Sequence, residues 1–352
     1  MSLTIEGLTV RIPVRGDAVV HAVTDVSLTV PEGTVSALVG ESGCGKSVVA
    51  GAVLGVLPPS AVVTGSVRVD VGELAFDVLD QPLGSGRIPR RRGTFGWRGW
   101  VGRRDGHAGP PTRNAVTADP GHATSPAAAA HSRAPRTDAA AHRFRGRTIA
   151  LIPQSPGTHF TPVRTIGSQL TETIATLGTD HTPADLLALA GLPASALELY
   201  PHELSGGMAQ RAAVAAALAG DPAVIVADEP TSGLDRDRTD QIGLLLRACA
   251  DRGAAVLLIT HDLGHLLRAG IADTVAIMYA SRLMEVGPAP QVLADPWHDY
   301  TGDLLAALPE RGLRPLPHPP LALTDLSDDC PYAGGPTVLR REGPRLIRRA
   351  RS

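Results

Sequence analysis

The chain has 352 residues and a formal net charge of −2, enough length for a sizeable core in two or more packed units and a balance that argues against a nucleic-acid partner. Its three cysteines, Cys44, Cys249 and Cys330, are too few and too scattered for a disulfide framework or a CxxC metal site, which fits a reducing cytosol. The longest apolar run, Val48 to Leu57, stops at Pro58-Pro59, well short of the ~20 residues a membrane helix needs. The N-terminal MSLTIEGLTVRIPVRGD has no apolar signal-peptide core.

Residues 1–40 read as strands, LTIEGLTVRIPV, AVTDVSLTV and TVSALVG, with Pro31-Glu32-Gly33 as a turn. VSALVG runs into GESGCGKS, Gly40 to Ser47, and SVVAGAVLGVL behind it reads as a helix stopped by Pro58-Pro59. GSVRVDVGELAF returns to strands. Over 85–141 the periodicity dissolves into Gly, Pro, Ala and Arg. From Arg87 to Arg147 thirteen Arg stand against three Asp, so a disordered basic insertion is expected there. RTIALIPQ resumes as a strand, and residues 163–219 look helical. AVIVADEP is a buried-strand run ending in acids, DRTDQIGLLLRACAD a helix, AAVLLITHD a second buried strand, LGHLLRAG another helical piece and TVAIMYA a strand. Such alternation predicts an α/β fold with a mostly parallel sheet. From Pro309 onward the chain is rich in Pro and Arg and reads as a loosely held tail.

Three stretches carry chemistry. GESGCGKS fits G-x-x-x-x-G-K-[ST] between a strand and a helix, so Gly40, Glu41, Ser42, Gly43, Cys44, Gly45, Lys46 and Ser47 form a candidate phosphate cradle. Lys46 is the one lysine among 33 cationic side chains. A compact ammonium suits a point contact with β- and γ-phosphates better than an arginine fork does. Ser47 offers an oxygen to Mg²⁺, and Cys44 fills a variable slot as a small residue. In AVIVADEP the strand delivers Asp228 to its end, where it can hold Mg²⁺ through water, and Glu229 can polarise an attacking water. Taken alone, the two acids could equally be a helix cap or a solvated turn. In LSGGMAQR, Ser205-Gly206-Gly207 open a helix and make a second anion-binding start, which suggests a site shared between two copies; the plain alternative is a well-capped helix.

With these motifs in order, the chain resembles the ATP-binding subunits of ABC transporters. The resemblance runs over GESGCGKS, Gln154 in IPQSP, LSGGM, AVIVADEP, SGLD (Ser232 to Asp235) and ITHD with His261. PHELSGGMAQR and the stretch from HDLGHLLRAG to DYTGDLLAALP are similar to the peptide/nickel (dipeptide/oligopeptide) importer ATPases, from about residue 3 to 309 without the insertion. That resemblance implies a P-loop NTPase fold: an ABC-type nucleotide-binding domain over 1–310 with a RecA-like core, an antiparallel β region and a helical subdomain at 163–219, followed by the tail 311–352. It implies ATP and Mg²⁺, with Ser47, Gln154 and Asp228 around the metal and Glu229 as general base. Gln154 would link the nucleotide to the helical unit that touches a permease, and His261 would contact the γ-phosphate. Asp235 would lie at a dimer seam, with Ser205, Gly206 and Gly207 completing the partner's ATP site.

The implied activity is ATP hydrolysis coupled to import of peptides or a related small solute such as a nickel chelate. The implied partners are a second, related ATPase chain, transmembrane permease subunits and, indirectly, an extracellular solute-binding protein, at the cytoplasmic face of the membrane. No nucleic-acid partner is expected. An exporter ATPase, a soluble ABC ATPase acting on nucleic acid or ribosomes, and an inactive regulatory subunit stay open as alternatives. Two departures stand out. RGDAVVHAVTD (15–25) has no aromatic ring for adenine, so Val20 or His21 would have to serve. Cys330 in CPYA is a single thiolate where the family often holds an iron–sulfur cluster, so no cluster is expected. In the insertion, Trp97 and Trp100 among arginines read as solvated.

Overall fold

The computed structural model describes residues 1–72, 74–79, 144–327, 329–330, 332 and 334–351. The basic segment read over 85–141 lies outside them. Alternation in Ser2–Pro13 (β1) buries Leu3 and Ile5, and a bulge at Gly7 (φ 56°) shifts the phase so that Leu8 and Val10 are buried too. β1 pairs antiparallel with Val19–Pro31 (β2) on one side and Val62–Val71 (β4) on the other. Leu74–Asp77 (β5) completes a four-stranded sheet in the order β2-β1-β4-β5.

The second sheet is built on short apolar runs. Val35–Val39 (β3), Ile149–Ile152 (β6), Val224–Asp228 (β7), Ala255–Thr260 (β8) and Thr274–Tyr279 (β9) lie parallel in the order β9-β3-β8-β7-β6. Successive residues serve opposite cores. Leu38, Val226 and Leu257 face the four-stranded sheet across Lys46–Leu54 (α1). Val39, Ile225 and Leu258 face a second core with the remaining helices. This two-sided burial is why these strands read as unbroken apolar runs. α1 ends earlier than the prolines suggest: Gly55, in a left-handed conformation (φ 63°), closes it by donating to the Ala52 and Gly51 carbonyls.

The helical unit contains Ile166–Leu177 (α2), capped by Thr165, Pro183–Leu189 (α3), started by a Thr182/Asp185 capping box, and Gly206–Leu218 (α4). Arg236–Asp251 (α5) and Leu263–Ala269 (α6) flank β8, and Ala289–Ala294 (α7) and Asp299–Ala306 (α8) follow Arg282–Pro288 (β10).

The tail differs from its expectation. Asp329–Cys330 (β11), Gly335–Glu342 (β12) and Arg345–Ala350 (β13) extend the large sheet antiparallel, β13 pairing directly with β10. Arg345, 3% exposed, donates at 3.0 Å to Glu285, which is fully buried in β10, and its guanidinium lies 4.1 Å from the Trp297 ring centre. Glu285 also accepts from the Trp297 and His298 backbone N–H groups. A buried carboxylate with all these partners fixes the hairpin, because losing its counter-charge leaves an uncompensated buried ion.

Candidate nucleotide site

β3 ends at Val39 and α1 begins at Lys46, so the six residues between must turn sharply. Gly45 has φ 110°, and a Cβ there would lie 2.1 Å from the Ala22 carbonyl oxygen; one at Gly40 would lie 2.1 Å from that of Met278. Both places therefore require glycine on grounds of backbone approach. Lys46, 4% exposed, donates from Nζ to the Gly40 and Glu41 carbonyls, each at 2.8 Å. Its ammonium thus holds the loop closed with two of three N–H donors. The first-turn N–H groups of α1 add the partial positive charge of a helix start.

The acids come from the neighbouring strands. Ser47 Oγ lies 3.4 Å from Asp228 Oδ1, at the end of β7. Glu229 then takes a left-handed conformation (φ 45°) while its N–H donates to the Ile259 carbonyl at 2.8 Å. A non-glycine residue held at positive φ is strained. Gln154 Nε2, just beyond β6, donates to Glu229 Oε2 at 3.0 Å, and His261 Nδ1, just beyond β8, faces Oε1 at 3.2 Å. Three parallel neighbours thus bring Gln154, Asp228, Glu229 and His261 to one carboxyl-terminal edge, where open α/β sheets bind ligands. Burial, and next to it Glu229, raise the Asp228 pKa, while Ser47 and Lys46 lower it. A hydroxyl and a carboxylate oxygen side by side, in surroundings that penalise the bare charge, fit a hard divalent cation such as Mg²⁺. Gln154 and His261 are exposed, so water reaches Glu229.

Ser205, Gly206, Gly207 and Asp235 form a separate group. Ser205 Oγ caps α4 by accepting from the Met208 N–H at 3.3 Å, and Asp235 caps α5 by accepting from the Arg238 N–H at 3.0 Å. Arg238 also reaches Asp235 with its guanidinium at 3.2 Å, and its side chain runs over Gly207, where a Cβ would meet Arg238 Cδ at 2.6 Å. Sequence reasoning missed this link: nothing in SGLDRDR announces that an arginine folds back across a helix start about thirty residues upstream. Among the described residues, no hydrogen bond or ion pair joins this group to the phosphate loop.

Val20 and His21 are not an open edge. The C-terminal segment runs beside them: the His21 N–H donates to the Leu323 carbonyl, the Asp325 N–H to that of Val19, both at 2.8 Å, and Val20 bridges Thr324. Cys44 is buried and burial pushes its thiol pKa up, which suits a filler and disfavours thiolate chemistry. Cys330 is buried in β11; among the described residues no group of three or more His, Cys, Asp or Glu could hold a metal ion.

Parallel strands feeding a phosphate loop, with a small antiparallel sheet on one side and a helical unit on the other, make this a P-loop nucleotide-binding domain of the ATP-binding-cassette type. The chain belongs to the ABC transporter family, whose profile matches residues 23–94 and 114–232. It is 34% identical to the oligopeptide transport ATP-binding protein OppD of Mycobacterium tuberculosis over 94% of this chain, and spans about half (47%) of that relative's length. It is 30% identical to the dipeptide transport ATP-binding protein DppD of Bacillus subtilis, covering 94% of this chain and 85% of the other. The fold is similar to that of the dimeric ATP-binding cassette MJ0796 bound to ADP and Pi, at a TM-score of 0.55 and 19% identity over 82% of this chain and 98% of that one.

Proposed function

We propose that the chain binds and hydrolyses ATP as the energy-coupling subunit of an importer for peptides or a related small solute such as a nickel chelate. One observation carries the enzymatic part: the Glu229 carboxylate, gripped by Gln154 and His261, beside the Ser47–Asp228 pair and the phosphate loop. In this reading Lys46 and the loop N–H groups bind the β- and γ-phosphates. Glu229 accepts a proton from the attacking water, while Gln154 and His261 fix the direction of its carboxylate. Ser47 and Asp228, with Gln154 nearby, would hold Mg²⁺, which when bound neutralises phosphate charge.

Ser205, Gly206, Gly207 and Asp235 serve the nucleotide of a second ATPase chain, which we take to be a related subunit. The relatives' names, for oligopeptide, dipeptide and glutathione import, support the solute class. Among the described residues no helix is long and apolar enough to cross a membrane. In this reading, permease subunits carry the solute across and this chain works at the cytoplasmic face of the membrane. Val163, 79% exposed between Gln154 and α2, suits a permease contact coupled to the site. An extracellular solute-binding protein would act through the permease.

Replacing Glu229 by Gln should lower turnover by roughly 10²–10⁴-fold while ATP binding persists. Full turnover in that variant overturns the enzymatic reading. Failure of the chain to co-purify with any permease pair, with ATPase activity intact, overturns the transport reading alone.

A further inference from the structure

Glu41 occupies one of the unspecified positions of the G-x-x-x-x-G-K-[ST] pattern, yet its two ends are both engaged. Its backbone carbonyl accepts from Lys46 Nζ at 2.8 Å, and its Oε2 accepts from the Tyr300 hydroxyl at 3.2 Å. Tyr300 opens α8, more than 250 residues away in sequence, and is fully buried. It belongs to a cluster containing three of the chain's four tyrosines: its ring centre is 4.6 Å from that of Tyr279 and 5.4 Å from that of Tyr332, which lie 5.5 Å from each other. The Tyr279 hydroxyl donates to the Pro319 carbonyl at 3.4 Å, and His318 sets its ring edge against Tyr332 at 4.9 Å. The C-terminal segment therefore packs on Tyr279 and Tyr332, the two rings that adjoin Tyr300.

A second route joins the same two regions. Leu323–Asp325 pair with the start of β2, and Ala22 in β2 places its carbonyl where a Cβ on Gly45 would be. The segment touches the phosphate loop's supports at both ends, through a side chain at Glu41 and through backbone at Gly45. Hydrogen bonds to a charged acceptor are stronger and more directional than neutral ones. Burial, with Glu41 next, raises the Tyr300 pKa, so the phenol stays a donor.

We propose that Tyr300 is a positioning residue for the phosphate loop: its hydroxyl fixes Glu41, whose carbonyl holds Lys46, so that the C-terminal segment sets the loop's affinity for nucleotide. This rests on the reading of the loop as an ATP site. The test uses the full chain and titrates magnesium with a non-hydrolysable ATP analogue, alongside steady-state ATPase kinetics. Tyr300→Phe removes the hydroxyl and keeps the ring; it should raise Kd and KM for the nucleotide roughly 3- to 10-fold, less than the full worth of a bond to a charged group because the hydroxyl acts on the nucleotide only through the loop. Its kcat should change by less than about twofold, the pattern of lost ground-state binding.

Tyr332→Phe, which keeps the ring packing and leaves the Tyr300–Glu41 bond alone, should match the wild type. Equal loss in Tyr332→Phe and Tyr300→Phe would mean general loosening and overturn the proposal, as would unchanged Kd in Tyr300→Phe. Glu41→Gln should change Kd by different factors in the wild type and in Tyr300→Phe; equal factors overturn the coupling. Should Tyr300→Phe not fold, the ¹³C-labelled Tyr300 ring in the wild type decides: its resonance should shift on adding the analogue, and no shift overturns the proposal. A wild type that binds no nucleotide sinks the ATP-site reading itself, and is told apart from failure of Tyr300's role by that first titration.

Discussion

The two groups of candidate site residues are built differently. Gln154, Asp228, Glu229 and His261 hang from the ends of three hydrogen-bonded parallel strands and already touch one another or the loop. Ser205, Gly206, Gly207 and Asp235 sit on helix starts, Arg238 links Gly207 to Asp235, and among the described residues no hydrogen bond or ion pair joins them to the loop. A sheet can preorganise the group that needs sub-ångström placement, while a group on a helical unit can be carried as a body towards another chain. The difference fits the proposed division of the site between two chains, in which one half is complete in itself and the other serves a neighbour.

That comparison can be broken most sharply at Lys46. Lys46→Ala should weaken nucleotide binding by roughly 10- to 100-fold through loss of a charge-assisted contact with phosphate. An unchanged affinity in a binding titration would detach the loop from the nucleotide. Ser205→Ala should instead leave the single chain's nucleotide affinity near the wild-type value and lower turnover about tenfold once two chains assemble. It should also remove about 0.5–2 kcal/mol from stability, since an N-cap is lost. If affinity in the isolated chain falls as well, the two groups are not separate.

Asp228 tests the first group by pH. Its raised pKa, from burial first, means that its favourable contribution is present below the unfolded value and is lost as pH rises through the folded one. At neutral pH the ionised carboxylate therefore weighs against the nucleotide-free fold. Asp228→Asn should raise the melting temperature without nucleotide at neutral pH, with the gain vanishing in acid, while turnover collapses. A lower melting temperature would show that the carboxylate is structural.

The smallest effect concerns a tie between the helical unit and the turn leading into the large sheet. His181 Nε2 lies 2.8 Å from Asp221 Oδ1, tying the start of α3 to the turn between α4 and β7. The hydrogen bond to Asp221 is the main cause of its raised pKa. This contribution is complete below the ordinary value of 6.5 and disappears as pH climbs through the raised one. His181→Gln should therefore flatten the loss of stability as pH rises above the ordinary value of 6.5, measured by denaturant melts. An unaltered slope would mean that the His181–Asp221 contact contributes nothing to stability.

Much of the candidate site was legible because the chemistry proposed for it is local. A loop that must show N–H groups to phosphates needs Gly40, Gly45 and Lys46 at fixed spacing, and a helix that starts as an anion site needs Ser205-Gly206-Gly207 in a row. The strand runs were legible too, since burial on both faces leaves no room for polar residues. The tail was misread for a physical reason: arginine and proline content predicts solvation only when the charges have no partners. The partner of Arg345 is Glu285, a residue of β10 distant in the chain.

By itself, then, the sequence determined the strands, the phosphate loop, the acids at the strand end and the family they define, since each depends on contacts within a few residues. Only the tertiary structure decided that Gln154 and His261 converge on Glu229, because that follows from the order β6-β7-β8. It likewise decided that Arg238 lies over Gly207, and that Tyr300 reaches back to Glu41. Those meetings depend on how distant elements pack, and a long-range contact leaves no periodicity in the chain that makes it.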